Sequence, residues 1–468
     1  MPATASKLAV IGLDCLEPSL AFGRYADRMP TLSRLRREGA WGTLRSCDPP
    51  ITVPAWMVMM SSKDPGTLGY YGFRNRADHS YEKMTTATSM AVKEPLLWDH
   101  LGAAGRKSIL LGVPQTYPPR PIDGLVITDF LTPSIESPYT YPPELKEEIA
   151  GLPEVHPYEF DVSFRDDDKG RIRDDIVRMT DKRFALARHL VTTKPWDFFM
   201  MVEMGTDRVH HAFWQYMDPA HHRYVAGNPF ESVIGDYYEH VDGQVGRLID
   251  ALPADTTVVV VSDHGGQCME GGVALNEWLV EKGYLVLHER PDKPSRLEAL
   301  KVDWARTTAW GSGGYYGRLF LNVRGREPQG LIAPEGYEAT RDRLIAELEA
   351  LPDHLGRPMG TRVLKPQDLY REVRGAAPPD LFVYFGDLRW RSIGTVGTGS
   401  IYTFENDTGP DDANHAPDGL LVARGPGIPP SGPVSGMQLL DVAPTLLRLS
   451  GLPVPPDMHG RPIAAVCG

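Results

Sequence analysis

The stretch VVVVSDHGG, residues 258–266, decides how the rest of the chain is read. Four consecutive valines bounded by turn-forming residues describe a strand buried on both faces, as at the centre of a parallel sheet. In open α/β sheets the ligand crevice lies beyond the carboxyl ends of such strands. Asp263 and His264 therefore stand where chemistry is expected, and Gly265 and Gly266 suit a tight turn with positive φ. An Asp and a His closing an ordinary turn would look the same, so the reading depends on what else reaches that place.

Other strand-like runs are KLAVIGLD (7–14), KSILLGVP (107–114), WDFFMMVEM (196–204), DLFVYFG (380–386) and GLLVARG (419–425). Between and after them PTLSRLRREG (30–39), RLIAELEAL (343–351) and DVAPTLLRLSGL (441–452) have helical periodicity. This alternation predicts an α/β fold, a mostly parallel sheet with helices on both faces. The 468 residues are read as one catalytic domain, 1–468, without internal repeats. Two stretches break the pattern, 131–190 and 290–375, and are expected to be insertions that cap the sheet edge.

The bulk properties narrow the function. With a net charge of −12 and no long basic run, neither nucleic acid nor an anionic membrane surface is expected as a partner. A phosphate-bearing small molecule stays compatible if metal ions supply positive charge locally. The four cysteines, Cys15, Cys47, Cys268 and Cys467, form no CxxC pair, which argues against a disulfide framework or a thiolate zinc site. Together with an N-terminus that runs directly into an apolar strand, they lead to the expectation of a cytoplasmic protein. No GxGxxG follows a strand and no GxxxxGK[ST] occurs, so dinucleotide and P-loop chemistry are disfavoured.

Four further segments carry candidate site residues. VIGLD ends in Asp14 at the exit of the first predicted strand. In PPITVPAWMVMMSS, Thr52 and Pro54 precede an apolar helical run, an ordinary helix start that would also set a hydroxyl beside free N–H groups, a phosphate cradle. MVEMGTDRVHHAFW offers Asp207 and His211 at i and i+4, on one helix face, with His210 as a competitor. NHAPDG places His415 just before a predicted strand.

Carboxylates, imidazoles and a helix-start hydroxyl suit phosphoryl transfer. Two divalent cations about 4 Å apart can hold the attacking and leaving oxygens of an in-line displacement. A Thr hydroxyl is a poor nucleophile at pH 7 until its pKa is lowered. Mixed His and carboxylate ligands without thiolates suit Zn2+, with Mn2+ or Fe as alternatives.

With these residues in view, the chain resembles the alkaline phosphatase superfamily, and within it the type I phosphodiesterase/nucleotide pyrophosphatase family. The resemblance rests on GLD, PPITVPAW, GTDRVHHAFW, SDHGG, LNEWLVEKGYL (275–285), NHAPDG and DVAPTLLRLSGLPVPPDMHG (441–460). It implies an alkaline-phosphatase-like three-layer sandwich, with Thr52 as a nucleophile that becomes phosphorylated. It also implies Asp14, Asp263 and His264 on the cation activating Thr52, and Asp207, His211 and His415 on a second. The activity implied is hydrolysis of a small organic phosphodiester or nucleotide-type substrate, the alternative being a phosphomonoesterase or cofactor-independent phosphomutase of the same superfamily.

Three positions depart from the family pattern. Ala55 stands where many relatives have an Asn that helps bind a phosphate oxygen. Cys15 replaces a glycine after the first Asp, and His459 replaces an acidic residue near the C-terminus. A sulfatase would need Cys-x-Pro-x-Arg, and CDPPI (47–51) has Ile51 in place of Arg. GYYGFRNR (69–76) and TTAWGSGGYYGR (307–318) supply aromatic rings and the arginines Arg74, Arg76 and Arg318, which could meet a base or a second phosphate.

Overall fold

The computed structural model describes residues 7–467. Its centre is a nine-stranded sheet in the order Met437–Gln438, Ala40–Arg45, Asp418–Arg424, Thr257–Val261, Leu8–Leu13, Phe198–Glu203, Ser108–Leu111, Gly124–Ile127 and Thr140–Tyr141. The five strands from Thr257–Val261 to Gly124–Ile127 run parallel, and Asp418–Arg424 joins them antiparallel. The valine run is buried on both faces as its composition demands. Val258 and Val260 enter one core and Val259 and Val261 the other, and Ala9, Ile11 and Leu13 alternate in the same way with Leu8 and Val10.

Two helical layers complete a three-layer sandwich. Pro30–Glu38, Lys169–Thr193, Gly205–Met217 and Val233–Asp250 cover one face; Thr52–Ser61, Leu97–Ala103 and Val442–Leu449 cover the other. Apolar residues at helical spacing explain the docking: Ile172, Ile176, Met179, Leu186, Ala187 and Leu190 belong to the long helix's buried stripe, with Phe184 beside them.

Three expectations change. The Lys169–Thr193 helix belongs to a layer of the sandwich, because its apolar stripe shares the core of the sheet, so the stretch 131–190 is not a cap throughout. DLFVYFG does form a strand, Leu381–Tyr384, but not in the central sheet. It pairs antiparallel with Gly317–Leu321 and Arg362–Leu364 in a separate four-stranded sheet that also holds Ala309–Ser312. The insertion built around this sheet is accordingly larger than 290–375, since its apolar cluster runs from Val273 to Val396. A local apolar run specifies a strand but not its partner, so DLFVYFG by itself does not say which sheet it joins.

Candidate active site

Three adjacent parallel strands deliver three carboxylates to one place. Asp14 follows Leu8–Leu13, Asp263 lies just beyond Thr257–Val261, and Asp207 sits in the first turn of the helix that follows Phe198–Glu203. All three are at most 1% exposed. The two glycines after His264 answer a packing demand, not a turn: neither has a positive φ. Gly265–Cys268 forms an antiparallel ribbon with Ala413–Ala416 in which Gly266 faces His415. A Cβ on Gly266 would come within 2.8 Å of His210 Nδ1 and 3.2 Å of Cys15 Sγ. The ribbon brings His415 onto His264, with their rings stacked at 3.9 Å.

Thr52 is the first residue of its helix, but not its cap. Ile51 occupies the N-cap without a side-chain cap bond, and Val53 is non-helical at φ −108° and ψ 109°. The Thr52 hydroxyl instead lies 3.4 Å from His264 Nε2 and 3.5 Å from Asp14 Oδ1. One turn further along the same helix, Trp56 donates from Nε1 to Asp14 Oδ2 at 2.7 Å. The helix thus carries both the hydroxyl and a clamp on the neighbouring carboxylate.

The second group is assembled from a helix and the ribbon. Nε2 of His211 is 3.3 Å from Asp207 Oδ1 and 3.3 Å from His415 Nε2, and His415 Nε2 is 3.7 Å from Asp207 Oδ1. The far nitrogen of each imidazole is anchored: His211 Nδ1 to Asp411 Oδ1 at 2.6 Å, His415 Nδ1 to the Pro50 carbonyl at 2.9 Å. Asp411 is itself held by Arg391 at 2.7 Å and Arg165 at 2.9 Å. Arg208 pairs with Asp207 and reaches Asp161. Tyr315 stacks on His415 at 4.1 Å.

The electrostatics call for cations. Burial, reinforced by Asp263 and Asp207, pushes the Asp14 carboxyl well above its ordinary range, against His264 and the Trp56 bond. Burial and Asp207 do the same to Asp263. For Asp207 burial pushes upward too, but His211, Arg208 and His415 more than offset it and hold the carboxyl low. Asp207 Oδ1 and Asp263 Oδ2 are buried with no well-formed hydrogen bond, the nearest imidazole Nε2 lying 3.3 Å from each, a costly condition unless a cation takes those lone pairs. Ligand atoms of Asp14, Asp263 and His264 lie within 4.8 Å of one another, as do those of Asp207, His264 and His415. The donor set therefore fits two divalent ions bound by oxygen and nitrogen.

All seven residues expected from sequence, Asp14, Thr52, Asp207, His211, Asp263, His264 and His415, converge here. His210 does not. It points the other way, Nδ1 to Cys15 Sγ at 3.4 Å and Nε2 to Tyr238 at 2.9 Å, and burial lowers it to about 3. Cys15 packs behind the centre, where it donates its N–H to Asp263 at 3.3 Å. Ala55 is buried and offers no polar side chain, and His459 pairs with Asp64 instead of reaching the centre. Sequence reasoning missed Trp56, whose signal was its position four residues after Thr52, and Asp411 with Arg391 and Arg165, whose partnership is set by tertiary structure alone.

A mostly parallel sheet with a buried Asp/His centre at its strand ends, and a helix-start hydroxyl pointing into it, defines the class: a phosphoester hydrolase of the alkaline-phosphatase-like fold. The chain belongs to the type I phosphodiesterase / nucleotide pyrophosphatase family, whose profile matches residues 8–411. His415 lies just beyond the matched stretch. Among solved structures it is similar to human ectonucleotide pyrophosphatase / phosphodiesterase 5, with a TM-score of 0.57, 14% identity and 96% of each chain covered. Murine ectonucleotide pyrophosphatase / phosphodiesterase 5, as an inactive variant in complex with AMP, aligns with the same TM-score, identity and coverage. No curated protein matches the chain. Among the described residues no helix is long and apolar enough to cross a membrane.

Proposed function

We propose that this hydrolase cleaves a small organic phosphodiester or nucleotide-type pyrophosphate through a phospho-threonine at Thr52. The observation that carries the reading is the direction of the Thr52 hydroxyl, away from its own helix terminus and toward Asp14 and His264. Asp14, Asp263 and His264 would hold one divalent ion and Asp207, His211 and His415 a second, with Zn2+ favoured by the mixed oxygen and nitrogen donors. Such ions, when bound, supply positive charge that lowers the hydroxyl pKa and neutralises the phosphoryl oxygens.

The residues of the chain do the rest. Thr52 Oγ1 attacks phosphorus, the bond to the leaving oxygen breaks, and that oxygen departs with a proton. Water then cleaves the Thr52 ester and restores the hydroxyl. Trp56 keeps one Asp14 oxygen occupied so that the other faces Thr52, and Asp411 fixes the ring of His211. AMP bound to the murine relative supports including nucleotides among the substrates tested. Four unpaired cysteines support a reducing compartment such as the cytoplasm.

A second reading, a phosphomonoesterase or phosphomutase, is favoured by Ala55, which removes a polar contact found in many diesterase relatives. The deciding experiment compares bis(p-nitrophenyl) phosphate with p-nitrophenyl phosphate on zinc-loaded protein, with Thr52→Ala as the blank. Faster diester cleavage lost in the blank supports the proposal. Faster monoester cleavage selects the second reading, and activity that survives in Thr52→Ala removes the mechanism.

A further inference from the structure

Beside the metal-type centre, on the far side of Tyr315 and Arg391, lies an open cleft of about 490 Å³. Its lining includes Arg74, Arg296, Arg391, Ser312 and Thr408, with Gly313 and Gly314. The two segments singled out in the sequence meet there: Arg74 comes from GYYGFRNR and the glycines from TTAWGSGGYYGR. Arg76, the other arginine of the first segment, turns into the interior and pairs with Glu327.

The cleft shares its wall with the catalytic centre. Arg391 lines it and also binds Asp411, the carboxylate that anchors His211, while its guanidinium lies 4.6 Å from the Tyr315 ring that stacks on His415. A substrate with its phosphoryl group at Thr52 and an arm passing over Tyr315 would reach this cleft.

Its charge is unbalanced. Among the described residues, Arg74, Arg296 and Arg318 have no carboxylate partner. Arg318, only 9% exposed, lies directly behind the wall and spends its donors on the Arg74 carbonyl and on Ser312 Oγ at 2.9 Å. A guanidinium so deeply buried without an anion is expensive to maintain, which a ligand carrying negative charge would relieve. Two carboxylates also line the cleft, Glu298 and Asp407, and Asp407 is engaged by the Gly394 N–H at 3.2 Å. Arg391 is balanced by Asp411 and the unpaired lining arginines Arg74 and Arg296 by Glu298 and Asp407, so the surplus positive charge is that of Arg318 behind the wall.

We propose that this cleft is a specificity subsite for a second anionic group, phosphate or carboxylate, on the substrate's other arm. The inference rests on the hydrolase reading above and deepens it: the preferred substrate carries negative charge at both ends. Guanidinium groups supply the planar paired donors such groups require, and glycines in the lining let the arm approach the backbone.

The test uses the zinc-loaded full-length enzyme and four p-nitrophenyl phosphodiesters that differ in the second arm: n-hexyl, its ω-carboxylate, its ω-phosphate and its ω-amine. Wild type should cleave the carboxylate or phosphate ester with a kcat/KM roughly tenfold above that of the hexyl ester. In the Arg74→Gln/Arg296→Gln double variant, whose substitutions are at exposed positions, that ratio should fall to within about twofold of unity. Arg247→Gln, exposed on Val233–Asp250 outside the cleft, should leave the ratio unchanged. The two anionic esters distinguish phosphate from carboxylate as the group recognised. No anionic preference in wild type, a preference for the amine, or a ratio that survives the double variant overturns the proposal. If even the hexyl ester resists Thr52-dependent cleavage, the diesterase reading itself falls and takes the subsite with it.

Discussion

The two halves of the metal-type centre are built by different means. Asp14, Asp263 and His264 come from the ends of two adjacent strands and are steadied by single neutral donors, the Trp56 indole and the Cys15 N–H. Asp207, His211 and His415 come from a helix and a ribbon and are braced from behind by Asp411, Arg391, Arg165 and Arg208. The first half is a reactive edge facing the hydroxyl. The second is a rigid block embedded in charge. The difference predicts that chemistry is lost by changes on the first half without loss of fold, while changes behind the second half act through its grip on the metal.

Thr52→Ala gives the largest effect. Turnover should drop about 10³-fold or more, while the circular dichroism spectrum and metal content stay close to wild type. A variant that keeps its activity removes the first half from the mechanism.

Next in size is the loss of a ligand. Asp263→Asn should cut activity by two or more orders of magnitude and lower bound metal measured by plasma emission, because Asp14 and His264 alone hold an ion poorly. Behind the second half, Asp411→Asn frees the His211 ring, and metal affinity should weaken by about 10- to 100-fold. Titration with a chelator distinguishes the cases: Asp411→Asn should regain activity with added Zn2+, whereas Asp263→Asn should not. Equal rescue of both would erase the distinction between the halves. Stripping wild type of metal should lower its melting temperature, since three buried carboxylates then face one another.

Trp56→Phe sharpens the comparison from the other side. It removes the bond to Asp14 and keeps most of the apolar ring, so stability should fall by about 1–2 kcal/mol and kcat by roughly tenfold. Because Asp411 and His211 are untouched, the ion proposed for the second half should still bind. A variant with normal kcat would show that Thr52 and Asp14 hold their positions without the indole.

How much of this could be read from residues alone follows the same division. The first half was legible because a both-face-buried strand must end somewhere, and acids and imidazoles at that end are cheap to recognise: VIGLD and VVVVSDH declare themselves. His211 was legible from its i, i+4 relation to Asp207, but nothing local separates it from His210. The separation is made by the register of Gly205–Met217 against Tyr238 and Cys15, which turns His210 inward. His415 depended on the ribbon, and the ribbon depends on Gly266 admitting His210 and Cys15 at close range. Asp411 was invisible because its partners are 200, 246 and 20 residues away in the chain. DLFVYFG reads as a strand but its sheet does not follow from it for the same reason, since apolar alternation carries no address.

The smallest effect is expected at the seam between the halves. Cys15 donates its N–H to Asp263 on one side and faces His210, on the helix of the second half, with its thiol. Its φ is 61°, in the left-handed region where a side chain costs about 1 kcal/mol and glycine costs almost nothing. The site is also 1% exposed, so removing the sulfur forfeits packing worth about 1 kcal/mol. Cys15→Gly loses the packing and gains relief of the backbone, so its unfolding free energy should stay within about 1 kcal/mol of wild type. Cys15→Ala loses the packing and keeps the strain, and should be the less stable of the two by about 1 kcal/mol. Urea unfolding of both variants decides it. In an ordinary helix or strand the order is the reverse, so an alanine variant more stable than the glycine variant would show that the seam is held by the thiol and not limited by its backbone.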